Sequence, residues 1–401
     1  MKVISLLSTA ALTVCLTASG FCEEDSPQEL DLRISQTEKQ QVEALIVHDM
    51  NNGSSYQNNG RSSANDMMRS NGQTPQTPQD PNRVMDSVHG CVEEGFSLEA
   101  EFLWWRASLD NLEYAAKVNG SIDFNTGIFN LGGDFKLPDF KFDPGVRVSA
   151  GYDFGPKNWD LFARWTYHYT DPTSSTSRPT NSTDTFIIAL KEFYAADNSQ
   201  IEVVVDSART KWKNQLNVLD LEMGYDYFFS NRFSFRPNFG LKAAWLDMDY
   251  DVNFGNANIG TNFLQPRFID VQLRNKSDYW GVGPQVGLDG NLHMGWGFSL
   301  YSRVSGALLY GAYKTRLSQS DSEGSSFRLS NSSEYRQRAM AQIVAGIEWA
   351  KCFSNGVLLA FNLGWEGQYW WNQNEMRIIV DAQPTGDLTL TGLDAGIRLD
   401  F

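Results

Sequence analysis

From Phe96 to Phe401 apolar and polar side chains alternate with a period of two, in strand-sized stretches joined by turns of a few residues on one side and long polar segments on the other. Phe96, Leu98, Ala100, Phe102 and Trp104 share one parity, and Ser97, Glu99 and Glu101 share the other. Successive side chains of an extended chain point to opposite faces, so each such stretch reads as a strand with one apolar and one polar face. Val146, Val148, Ala150, Tyr152 and Phe154 oppose Arg147, Ser149 and Asp153, and a Gly155-Pro156-Lys157-Asn158 turn leads into Trp159, Leu161, Ala163, Trp165, Tyr167 and Tyr169. The same hairpin recurs from Leu219 to Leu241, from Trp280 to Leu300 and from Ala339 to Trp365. The final stretch is the cleanest: Leu393, Ala395, Ile397, Leu399 and Phe401 alternate with Asp394, Gly396, Arg398 and Asp400.

This pattern predicts an all-β chain, and the aromatic load decides where it folds. Phe, Trp and Tyr make up 13% of the residues, yet only Phe21 and Tyr56 precede Phe96. So many rings on an outward face are tolerated by lipid and not by water. After the first twenty residues no apolar run is long enough for a membrane helix. The expectation is a transmembrane antiparallel up-and-down β-barrel over 96–401, with both ends on the short-turn, periplasmic side. About ten strands are clear, and a further hairpin from Phe186 to Val205 makes about twelve. The long polar segments, near 109–140, 171–210, 251–276, 317–335 and 373–387, read as external loops.

The region before the barrel divides in three. Residues 1–20 carry Lys2, an apolar stretch from Val3 to Ala18 and small residues at Ala18-Ser19-Gly20, the form of a secretory signal peptide. Cys22 as a lipidated N-terminus is disfavoured by the bulky Phe21 before it. Residues 21–50 place Leu30, Ile34, Val42, Leu45 and Ile46 on one helical face, which predicts a short periplasmic amphipathic helix. Residues 51–95 are rich in Asn, Gln, Ser, Gly and Pro and read as a disordered linker. The net charge of -15 opposes the phosphate neutralisation that nucleic-acid binding needs, so nucleic acid is excluded as a partner. Four cysteines without CxxC spacing carry no zinc site, and no cofactor motif is present: Gly281-Val282-Gly283 lacks the helix and Lys of a phosphate loop.

Three stretches go beyond pattern. LEAEFLWWRASLDNLEYAA (98–116), FDPGVRVSAGYDF with WDLFARWTYHYT (142–170), and WGVGPQVGLDGNLHMGWGFSLYSRVSGALLYG (280–311) resemble the major outer membrane protein family of Legionella and chlamydia-like bacteria. The resemblance covers Phe96 to Phe401, and the N-terminal segment lies outside it. It implies a surface-exposed, porin-like barrel in the outer membrane of a Gram-negative bacterium, with adhesion as a further role. The terminal strand, with Asp394, Gly396, Leu399 and Phe401, looks like the signal read by the barrel-assembly machinery.

By parity the lumen carries the acids Glu99, Glu101, Asp153, Asp160, Asp220, Glu222, Asp226, Asp289, Glu348, Glu366, Asp394 and Asp400. It also carries the bases Arg147, Arg164, Arg236, Lys242, Arg303, Arg338 and Arg398. In an open pore such charges set ion selectivity and allow passive diffusion of small solutes. In a narrow barrel they pair across the lumen, and ten strands leave little free space. The alternative is therefore a closed-lumen barrel serving as a surface adhesin or structural envelope protein. Catalysis is not expected: His168 near Asp171 is the nearest to a catalytic pair, and a lone His on a polar strand face is more simply hydrogen-bonded.

Cys91 and Cys352 fall on the periplasmic side, where they can pair with each other, with Cys22 or with another subunit, or remain unpaired thiols. Trp104, Trp105, Trp159, Trp245, Trp296, Trp349, Tyr369, Trp370 and Trp371 suit two interfacial girdles, the rival being sugar binding by Trp370 and Trp371. Partners expected are outer-membrane lipid, the barrel-assembly machinery, a host surface or cell-wall layer, and further copies of the chain.

Overall fold

The computed structural model describes residues 94–123, 128–155, 158–179, 185–191, 204–230, 232–258, 268–376 and 385–401. The expected signal peptide and amphipathic helix, the expected linker up to its last two residues, and Cys91 lie outside the described residues. The strands are β1 (Gly95–Leu109), β2 (Ala115–Asp123), β3 (Ile128–Lys136), β4 (Phe142–Asp153), β5 (Trp159–Thr170) and β6 (Thr173–Ser177). They continue with β7 (Thr185–Ala189), β8 (Val204–Val205), β9 (Ser207–Tyr225), β10 (Tyr227–Ser230), β11 (Phe233–Asn258) and β12 (Phe268–Gly295). The last are β13 (Phe298–Asp321), β14 (Ser326–Cys352), β15 (Leu358–Trp370) and β16 (Leu388–Asp400).

Ten of these close a ring in the order β1-β4-β5-β9-β11-β12-β13-β14-β15-β16, every neighbour antiparallel. Closure is made by β16 against β1, in register from Ser97↔Asp400 to Leu109↔Leu388. Phe401 extends that seam: its backbone exchanges hydrogen bonds of 2.8 and 2.9 Å with Phe96. β10 continues β9 past Asp226 along β11, and β6 extends the sheet beside β9. The expected additional hairpin from Phe186 to Val205 does not enlarge the ring. β7 and β8 instead belong to a separate four-stranded sheet, β3-β2-β7-β8, on the loop side.

The segments 251–276 and 317–335, expected as loops, are mostly strand, as is the end of 171–210, where β9 begins at Ser207. The reason is a reversal of polarity along each strand. Along β11 the outward residues Phe233, Phe239, Leu241 and Trp245 give way to Asp247, Asp249 and Asp251, while the inward residues change from Arg236 and Lys242 to Leu246, Met248, Tyr250, Val252 and Phe254. Below Trp245 the outside faces lipid and the inside is polar; above it the outside faces water and the inside is an apolar core. At ~3.3 Å per residue, the part of β11 beyond Trp245 runs on the order of 40 Å along the strand. β15, β16, β1, β4 and β5 have 12 to 15 residues each, against 24 to 28 in β11 to β14, so one wall of the barrel is much taller than the other.

Parity also corrects the aromatic assignment. Trp104, Trp245, Trp296, Tyr369 and Trp371 are exposed outward, but Trp105 and Trp370 are buried in the inner core. Each follows or precedes an outward residue by one position, and a one-residue step in a strand crosses the wall. Trp296 stands almost fully exposed at the tip of the β12–β13 turn, flanked by Gly295 and Gly297 at φ of 101° and 84°. Glycine at those two positions supplies the left-handed backbone without a Cβ penalty.

Candidate functional site

The chemistry-bearing residues converge on the barrel interior, and none of the nineteen expected lumen charges faces lipid: all are buried or half-buried. Alternating strand geometry delivers them, and most of them join a lattice of mutual pairs. At its centre the Arg147 guanidinium donates to Glu101 Oε2 at 2.8 Å and to Glu366 at 2.9 Å, and its Nε donates to Thr166 Oγ1 at 3.1 Å. The same guanidinium lies 5.3 Å from the Trp105 ring centroid, which roofs it with an apolar face.

Nearer the short-turn end, Arg236 donates from Nε to Asp160 Oδ2 at 2.6 Å and from Nη1 to Asp289 at 2.8 Å and Glu222 at 3.3 Å. Lys242 pairs with Asp220 at 2.6 Å, Arg164 lies 3.5 Å from Glu222, and Arg398 lies 3.3 Å from both Glu348 and Asp400. Arg303 sits 3.8 Å from Glu99 and 3.5 Å from Glu101. Asp394 accepts from the Tyr301 hydroxyl at 3.1 Å. Asp153 and Asp226 line a cavity of about 540 Å³ at the short-turn end, together with Arg236 and Arg398. Arg338 is set apart higher in the barrel, where it donates to Glu375 and to the Tyr313 hydroxyl.

Neutral residues that the sequence reading did not single out complete the lattice. Asn362 donates to Glu99 at 2.7 Å, and Gln342 and Gln368 each donate to Glu366 at 2.7 Å. Each shares the inward parity of a charged neighbour on its strand, which was the available signal. Above this layer the interior turns apolar: Leu103, Trp105, Trp212, Leu216, Tyr250, Phe254, Leu309, Tyr313 and Trp370 form one buried cluster. The chain after β15 folds inward, so that Gln373, Asn374, Glu375 and Met376 are buried across the mouth.

His168 is fully buried, with Nε2 3.3 Å from the Asp143 carbonyl and its ring 5.7 Å from that of Trp105. It has no solvent-facing position from which to serve a substrate. Trp370 donates from its indole nitrogen to Gln368 Oε1 at 3.1 Å inside the wall, which removes it from any external sugar site. Cys352, at the end of β14, is disulfide-bonded, and the remaining cysteines lie outside the described residues.

Among solved structures, the chain resembles the outer membrane protease OmpT of Escherichia coli at 11% identity and a TM-score of 0.35, covering 77% of this chain and 98% of that one. It also resembles a major outer membrane protein of Thermus thermophilus, at 11% identity and a TM-score of 0.29, over 77% of this chain and 99% of that one. OprG of Pseudomonas aeruginosa follows at 10% identity and a TM-score of 0.26, over 76% and 98%. No curated protein matches the chain. A family model described as the Legionella pneumophila major outer membrane protein precursor matches residues 88–401, the whole of the barrel and a short run into it. The chain belongs to this major outer membrane protein family, and its place is the outer membrane.

Proposed function

We propose that this outer-membrane barrel works as a closed-lumen surface protein, structural or adhesive, rather than as a conduit for passive diffusion. One observation carries the reading: beyond the cavity at the short-turn end, the described interior is filled in two layers, an ion-pair lattice within the membrane and an apolar core above it. Among the described residues, the narrow lumen beyond that cavity is packed with side chains and leaves no wide aqueous path, in keeping with the general behaviour of barrels of this size. The tall wall and the four-stranded loop-side sheet provide surface for a partner outside the cell, such as a host surface.

Purified protein in planar bilayers is expected to give no stepwise conductance. Regular steps biased toward cations, as twelve inward acids against seven bases would produce, would restore the porin reading.

Assembly is proposed to depend on the barrel-assembly machinery recognising the last strand. Deleting Phe401 removes a backbone pair with Phe96 and a ring 6.5 Å from the Phe96 ring. Outer-membrane levels of the deletion variant, read by heat-modifiable mobility on gels, are expected to fall severalfold. Wild-type levels would count against Phe401 as a recognised end.

A further inference from the structure

The outer surface of the tall wall carries a second feature, independent of whether the lumen conducts. Directly above the outward Trp245 and Trp280, which are cross-strand partners, two rows of charge run across β9, β11, β12 and β13. In the lower row Gln215, Asp247, Asp278 and Lys314 lie in register; in the upper row Lys213, Asp249, Lys276 and Arg316 do. Higher on the wall the charges are matched, as in Arg274 with Asp251 at 2.6 Å. Lys276 likewise pairs with Asp249 at 2.7 Å.

The rest of the two rows is not matched. Among the described residues Lys213, Lys314, Arg316, Asp247 and Asp278 take part in no ion pair, although Asp278 and Lys314 are in register. Asp247 and Asp278 face each other across β11 and β12, an arrangement that destabilises a strand pair unless something else bonds to the carboxylates. Partial loss of hydration in the groove, with Asp278 and Asp249 beside it, pushes the pKa of the Asp247 carboxyl up, partly offset by Lys276. Both rows except Arg316, with the two indoles and Tyr169, line one outward groove of about 550 Å³; Arg316 stands beside it, in register with Lys276.

Its depth identifies the neighbour. Trp and Tyr mark the level of lipid headgroups, and the outward face immediately below Trp245 and Trp280 is apolar and faces acyl chains. The occupant of this ledge is therefore a lipid head on the loop side of the membrane. A phosphate would satisfy the unmatched Lys and Arg groups through charge-assisted hydrogen bonds. Facing carboxylates beside aromatic rings require, in addition, a head rich in hydroxyl donors with an apolar ring face.

The geometry points to a binding ledge for a phosphorylated glycolipid of the outer leaflet, with phosphate on Lys213, Lys314 and Arg316, sugar hydroxyls on Asp247 and Asp278, and acyl chains against Trp245 and Trp280.

The test uses the full-length protein purified in detergent and incubated with three probes. These are a bisphosphorylated acylated glucosamine disaccharide, its phosphate-free form, and phosphatidylglycerol. Native mass spectrometry reads the lipid retained. The first probe is expected to be retained about tenfold better than either of the others, and the triple Lys213→Gln, Lys314→Gln, Arg316→Gln variant to lose about that factor. Asp247→Asn with Asp278→Asn is also expected to weaken retention, and Arg209→Gln with Arg328→Gln, exposed elsewhere on the wall, to leave it unchanged. Equal retention of the phosphate-free probe or of phosphatidylglycerol would overturn the proposal. So would tighter binding after the Asp→Asn changes, which would mark a simple anion-attracting surface, or complete loss in a chelator, which would make a bridging cation the true contact.

Discussion

An Arg147→Met variant is expected to lose about 3–5 kcal/mol of barrel stability, the cost of removing one member of a buried charge network and leaving its partners uncompensated. Arg147 is the node at which Glu101 of β1 and Glu366 of β15 meet β4, so its loss strands Glu366 and leaves Glu101 only Arg303, 3.5 Å away; both carboxylates are nearly inaccessible. Methionine replaces much of the volume, which limits the cavity contribution and isolates the electrostatic one. The urea midpoint of protein refolded in lipid vesicles gives the measurement. Adding Glu101→Gln and Glu366→Gln to the same chain should recover more than half of the loss, because neutral amides can bond to Thr166, Gln342 and Gln368. A loss of under about 1 kcal/mol in the single variant would show that the lattice is solvated and the lumen wet, as for surface pairs.

The second large effect separates the two halves of the molecule. Trp212→Ala deletes a fully buried indole that packs edge-on against Phe140 at 5.6 Å, and large-to-small changes of this kind cost about 3–5 kcal/mol. Trp212 belongs to the apolar core above the membrane, not to the ion-pair lattice. The damage should therefore be local: amide exchange and protease cleavage rise in the outer parts of β9 and β11 to β14, while the membrane-level strands stay protected. Equal loss of protection along whole strands would show that the core and the lattice unfold as one unit.

The inward charges and the aromatic outer face could be traced in the sequence, because period-two parity assigns each residue to a face without reference to any other strand, and the number of alternating stretches gave about ten strands. Parity alone does not say which face is wet. Asp251, Asn253 and Gly255 look like loop because they are polar, yet they alternate with Val252 and Phe254 as strictly as the residues of the membrane band do. The exchange of solvent at Trp245 hid the tall wall, and with it the apolar core. Trp105 and Trp370 were misplaced by proximity to strand ends, where composition suggested a girdle and a single step of register decided otherwise. The pairing of Arg147 with Glu101 and Glu366 requires three strands to be placed around a ring. Sequence order supplies the neighbours of β1, but not the reach of a guanidinium across the lumen to β15.

The exchange of polarity at Trp245 also has a mechanical meaning. A uniform barrel can slide along the membrane normal at little cost, since each step exposes as much apolar wall on one side as it hides on the other. Here a downward step of two residues, about 7 Å along a strand, would carry Asp247 and Asp278 into hydrocarbon. An upward step would lift Trp245 and Trp280 out of the headgroup layer into water. Both displacements are opposed, so the barrel is pinned in depth on its tall side. A change in bilayer thickness must then be absorbed by the surrounding lipid, or by a tilt about the pinned wall, rather than by bobbing of the protein.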